Sequence, residues 1–135
     1  MASIGIAGGH GKIALRLSKL LSDSGHEVRA LIRNAKHADD VREAGAVPVE
    51  ADLEVKEDYS DWVRGADVVV TVTSAREPVV ERSWLAPGVH VNAVGSSIPT
   101  ARELDSATIA AAALFVDRRE STVNESGEYL RAVEE

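Results

Sequence analysis

The sequence predicts an α/β protein, a doubly wound parallel sheet in three layers with strand order 3-2-1-4-5-6. Three observations carry this. Short apolar runs alternate with amphipathic segments along the whole chain, the pattern of strands joined by right-handed crossover helices. The run Asp67-Val68-Val69-Val70-Thr71-Val72 has no polar alternation, as a strand covered on both faces requires. Hydrophobic residues make up 44% of the chain but aromatics only 4%, so Val, Ala, Leu and Ile must fill the interior.

The first strand is Ser3–Ala7, an apolar run that stops at glycines. Residues 10–24 then show helical spacing, with Ile13, Leu17, Leu20 and Leu21 on one face and Arg16 and Lys19 opposite. Gly25 supplies the stop. Residues 26–32 form the second strand. Residues 35–44 form the second helix, with Ala38, Val41 and Ala44 inward and Gly45 at its end. The third strand, 47–51, is weakened by Pro48, and residues 57–64 suit a short helix closed by Gly65. The apolar run 67–72 is the fourth, central strand. Residues 78–85 read as a loop or short helix, and 89–94 as a fifth strand ended by Gly95. Residues 102–113 read as a helix, 114–117 as a short sixth strand, and 121–135 as a last helix interrupted by Gly127. No linker or low-complexity tract divides the chain, so residues 1–135 are read as one domain.

Composition narrows the function. A net charge of −7 argues against nucleic acid or a membrane surface as partner, because either requires a basic face. Cysteine is absent, and the four histidines, His10, His26, His37 and His90, form no His-x-x-x-His pair; no metal site is expected. No apolar run reaches membrane-spanning length and the N-terminus does not read as a signal peptide. A cytoplasmic setting is the expectation.

The strongest chemistry lies in Gly8-Gly9-His10-Gly11-Lys12-Ile13-Ala14, between the first strand and an amphipathic helix. Gly8 permits a tight turn, Gly11 lets a phosphate approach the backbone, and Ala14 lets the helix pack close to the strand. Bare amides in the first helical turn then face a pyrophosphate, aided by the helix dipole. This is the Rossmann arrangement, and it makes a dinucleotide the expected partner. Lys12 could add a cation at the rim. His10 reads either as a phosphate donor or as an exposed loop residue.

The second strand ends Leu31-Ile32-Arg33-Asn34. Sites selective for NAD place an acid there to accept from the ribose hydroxyls. An arginine in its place can fork onto a 2′-phosphate, so NADP is expected over NAD, with Asn34 and His37 available to help. The same lack of an acid counts against S-adenosylmethionine. After the third strand, Asp52 could accept from an adenine amino group and Leu53 cover the ring; a helix N-cap is the other reading of Asp52.

Residues 1–54, through the loop above, Leu31-Ile32-Arg33-Asn34, Ala44-Gly45-Ala46 and Asp52-Leu53-Glu54, resemble the atypical short-chain dehydrogenase/reductase family. That resemblance implies pyrophosphate contacts at Gly8, Gly9, His10, Gly11, Lys12 and Ile13, a 2′-phosphate contact at Arg33, and adenine contacts at Asp52 and Leu53. From residue 66 onward the chain resembles the ornithine cyclodeaminase/mu-crystallin family, through residues 66–79, 84–97, Arg102-Glu103-Leu104-Asp105 and Leu114-Phe115-Val116-Asp117. There the resemblance implies that Thr71, Val72, Thr73 and Ser74 lie along the nicotinamide. Two families meeting near 55–65 suggest a recombined or engineered chimera, with a divergent natural protein as the alternative.

Catalytic groups are hard to find. Short-chain reductases commonly use Tyr-x-x-x-Lys, but Tyr59 is followed at that spacing by Val63 and Tyr129 by Val133. The cyclodeaminase family places an aspartate just after Asn-Ala-Val-Gly, where this chain has Ser96-Ser97. Three readings follow: an NADP(H)-binding module without efficient catalysis, an NADPH-dependent atypical reductase, or a folded scaffold with no working site.

Overall fold

The computed structural model describes residues 1–51, 60–95 and 98–135. Its centre is a five-stranded parallel sheet: β1 (Ser3–Ala7), β2 (Glu27–Ile32), β3 (Val47–Glu50), β4 (Val68–Thr71) and β5 (His90–Ala93), in the order β3-β2-β1-β4-β5. Ile6 sits opposite Ala30 on one side and Val70 on the other, so β1 is central and buried on both faces. Pro48 is tolerated because β3 is an edge strand, where a missing N–H costs no ladder bond.

Side chains alternate across the sheet. Ile4, Ile6, Val28, Ala30 and Ile32 pack with Val70 under α1 (Lys12–Asp23) and α2 (Ala38–Glu43). Ala7, Leu31 and Val69 face the other way, onto Trp62, Val63, Val79, Val80, Leu85 and Leu104. Gly5 lies on that second face, where a Cβ would stand 2.5 Å from the Trp62 carbonyl oxygen; the close approach of the Trp62 segment requires glycine there. The chain ends in three short helices, α3 (Ser106–Ala111), α4 (Arg119–Glu125) and α5 (Gly127–Glu134).

Three expectations are corrected and one, the interruption of the last helix, is borne out next to Gly127. Leu114, Phe115 and Val116 are not in a strand; Phe115 is 89% exposed, so four residues of favourable composition gained no ladder partner, and the described sheet ends at β5. The helix expected from residue 102 begins only at Ser106, because Asp105 caps it by accepting from the Thr108 amide at 3.0 Å. Leu104 before it is extended and bridges Val80. The last helix is two, broken at Ser126, whose hydroxyl caps α5. Finally, α1 buries a different face from the one expected. Ala14 and Ser18 are fully buried and Leu17 and Leu21 pack beside them, while Ile13 and Leu20 are each 67% exposed. Close packing of a helix on a sheet selects small residues at the contact line, and the larger side chains rotate outward.

Candidate functional site

In an open parallel sheet ligands bind beyond the C-terminal ends of the strands, where the connections reverse direction. Here that point lies between β1 and β4. Two loops meet there, the glycine loop after β1 and residues 71–74 after β4. The Val72 amide donates to the Ala7 carbonyl oxygen at 3.2 Å. Gly8 has φ +80°, and a Cβ on it would stand 2.7 Å from the Val72 carbonyl oxygen and 3.3 Å from the Thr73 methyl. Both the dihedral and the contact demand glycine.

The three glycines do different work. Gly9 is buried, its amide donates to the Leu31 carbonyl oxygen at 2.9 Å, and a Cβ would meet that of Ala30 at 2.7 Å. Its amide is therefore spent on joining the loop to the end of β2. Gly11 is exposed and is the N-cap of α1, with no side-chain cap; its own amide donates to the Gly8 carbonyl oxygen at 2.9 Å. The amides of Lys12, Ile13 and Ala14 have no acceptor among the described residues, as expected of a first helical turn. No acidic side chain occupies that turn, so the positive end of the helix dipole is uncompensated. Lys12 and Ile13 are exposed beside it. This cradle has bare donors, a glycine floor and no carboxylate in its own helical turn, and it fits a pyrophosphate.

At the end of β2, Arg33 is exposed and has no ion-pair partner among the described residues. Asn34 caps the 3-10 turn Ala35–His37, its Oδ1 accepting from the Lys36 amide at 2.9 Å. His10 stacks on His37, ring centroids 3.6 Å apart and 4° from parallel, and its Nε2 lies 2.7 Å from Asp40 Oδ2. The loop histidine thus ties the glycine loop to α2 through Nε2. Asp52 and Leu53, expected against an adenine, lie outside the described residues, as do Ser96 and Ser97.

On the β4 side, Thr71 is fully buried and its hydroxyl has no partner among the described residues. Val72 and Thr73 are partly buried and Ser74 is exposed. Thr73 is held by Glu103, whose Oε2 accepts from both the amide and the hydroxyl of Thr73 at 2.7 Å. Sequence reasoning gave Glu103 no role in the site. Its signal was its place in Arg102-Glu103-Leu104-Asp105, a stretch that carries the family resemblance; by composition alone the charge looks like an ordinary surface position until the fold turns it inward.

Comparison with known proteins places this geometry. The model of the ornithine cyclodeaminase/mu-crystallin family matches residues 4–135. Ketimine reductase mu-crystallin of Mus musculus is 43% identical over 104 residues, 77% of this chain and 32% of that protein. Delta(1)-pyrroline-2-carboxylate reductase of Paracoccus denitrificans is 42% identical over 98 residues, 73% of this chain and 31% of its own length. Among solved structures, the Thermococcus litoralis Delta(1)-pyrroline-2-carboxylate reductase in complex with NADH and L-proline superposes with TM-score 0.76 at 30% identity. That match covers 98% of this chain and 42% of the other. The chain thus spans about a third of the length of these curated relatives. The family match also runs unbroken through residues 55–65 and includes the glycine loop. One family therefore accounts for both halves; a short-chain dehydrogenase/reductase origin for residues 1–54, and with it a chimera, finds no support.

Proposed function

The chain belongs to the ornithine cyclodeaminase/mu-crystallin family, and on that premise we propose that it is the dinucleotide-binding part of an NADP(H)-dependent imine reductase. The observation that carries this reading is the N-terminus of α1 over Gly11, uncapped by any side chain, where the exposed Lys12 and Ile13 amides have no acceptor among the described residues. The nicotinamide, when bound, supplies a hydride to an imine carbon, and the nitrogen gains a proton to give the amine.

The chain's own residues bind and orient. Lys12 and Ile13, both exposed, donate to the phosphates. The fully buried Ala14 keeps α1 close enough to β1 for those amides to reach. Arg33 meets the 2′-phosphate: it is exposed and has no ion-pair partner among the described residues, and two acids of α2 are engaged elsewhere, Asp39 by Arg42 at 3.1 Å and Asp40 by His10. The loop 71–74 borders the nicotinamide. The expectation of weak or absent catalysis loses its ground, because its missing acid/base groups were sought in a chain spanning about a third of relatives that are themselves reductases.

Titration with NADPH and NADH, followed by nicotinamide fluorescence, tests the proposal. Saturable binding with NADPH the tighter ligand is expected; no saturable change with either would defeat it. Loss of NADPH absorbance on adding Delta(1)-pyrroline-2-carboxylate tests the reductase reading separately.

A further inference from the structure

Glu103 is a buried acid that the function above leaves unused. It lies between β5 and α3 with 0% exposure. Its Oε2 takes the amide and the hydroxyl of Thr73, and its Oε1 takes the Gly95 amide, all at 2.7 Å. One carboxylate thereby ties the loop after β4 to the loop after β5. The Glu103 amide in turn donates to Oε1 of Glu128, itself buried in α5, at 2.7 Å. The junction has no spare room: a Cβ on Gly95 would stand 2.6 Å from Glu103 Oε1 and 2.3 Å from the Thr73 carbonyl oxygen.

An apolar side chain could fill this space without the desolvation cost of a carboxylate, so the acid is explained by the geometry it imposes. Thr73 turns its N–H and hydroxyl inward to Glu103, while its methyl and the Val72 carbonyl face Gly8. We infer that Glu103 is a positioning residue that sets the nicotinamide-side wall of the dinucleotide site by clamping Thr73 to Gly95. The inference rests on the dinucleotide reading above, and it assigns to Glu103 the nicotinamide half of the site without the adenosine half.

Glu103→Gln keeps the volume but turns one acceptor into a donor, which must then face an N–H of Thr73 or Gly95. NADPH and adenosine 2′,5′-bisphosphate, which lacks the nicotinamide half, are titrated against both proteins. Glu103→Gln should weaken NADPH about tenfold or more, the loss of a charge-assisted hydrogen bond, and leave the bisphosphate within about twofold. Equal weakening of both ligands, or of neither, overturns the inference alone. Failure of the unsubstituted protein to bind either ligand overturns the dinucleotide reading and this one with it. Should Glu103→Gln not fold, amide exchange in the unsubstituted protein decides: the Thr73 and Gly95 amides should exchange slowly, and slower still with NADPH but not with the bisphosphate. Fast exchange at Thr73, or no response to NADPH, overturns it.

Discussion

Gly11→Ala separates binding from stability more cleanly than any other change in the glycine loop. Gly11 has φ −62° and ψ 156°, a conformation any residue adopts, and an added Cβ would meet only the Gly8 carbonyl oxygen, at 3.3 Å. Replacing glycine by alanine in a compatible conformation stabilises by about 0.4–1 kcal/mol through the unfolded chain. Alanine is a poorer N-cap than glycine by a comparable amount. The two effects nearly cancel, so unfolding free energy should stay within about 1 kcal/mol of its starting value. Binding should not survive so well. The new methyl stands on the floor of the phosphate cradle, and losing one charge-assisted bond to the pyrophosphate costs about 2 kcal/mol, or about 30-fold in NADPH affinity. Gly8→Ala inverts the pattern. Its φ of +80° and the 2.7 Å contact with the Val72 carbonyl oxygen together should cost about 2–5 kcal/mol of stability. Urea unfolding and NADPH titration on both variants give the comparison. Unchanged NADPH affinity in a folded Gly11→Ala protein would show that the phosphates do not approach there.

Arg33→Ala should weaken NADPH by about 5- to 30-fold and NADH by no more than about twofold, a gap that narrows with added salt; equal losses would remove Arg33 from the 2′-phosphate. Phe115→Ser should change stability by less than about 0.5 kcal/mol, because the ring is already in solvent. A loss near 2 kcal/mol in urea unfolding would mean that residues 114–117 are packed after all. Trp62→Ala, at a fully buried ring against β1, should cost about 3–5 kcal/mol in the same assay, and a cost under about 1 kcal/mol would contradict the close approach that Gly5 permits.

The fit of the chain to its family also bears on what it can do alone. Open sheets bind dinucleotides across both halves of the β1–β4 crevice, and both walls are present here, the cradle of α1 and the loop held by Glu103.

The amino-acid sequence by itself determined the parallel sheet, the five strands β1 to β5 and the position of the phosphate cradle. These depend on neighbours along the chain: unbroken apolar runs, glycines at strand ends, and small residues where a helix meets a strand. It also placed Arg33 directly after β2, because that position is defined by where the apolar run stops. What lay beyond it was decided by the tertiary structure. Whether residues 114–117 join the sheet depends on a partner edge, which favourable composition does not supply. Which face of α1 is buried depends on how closely the sheet approaches, and that selects Ala14 and Ser18 over Ile13 and Leu20. The stack of His10 on His37, the tie to Asp40 and the clamp of Glu103 on Thr73 and Gly95 join distant segments. Such contacts have no local periodicity, because they exist only once the crossovers have brought the strand ends to one edge of the sheet.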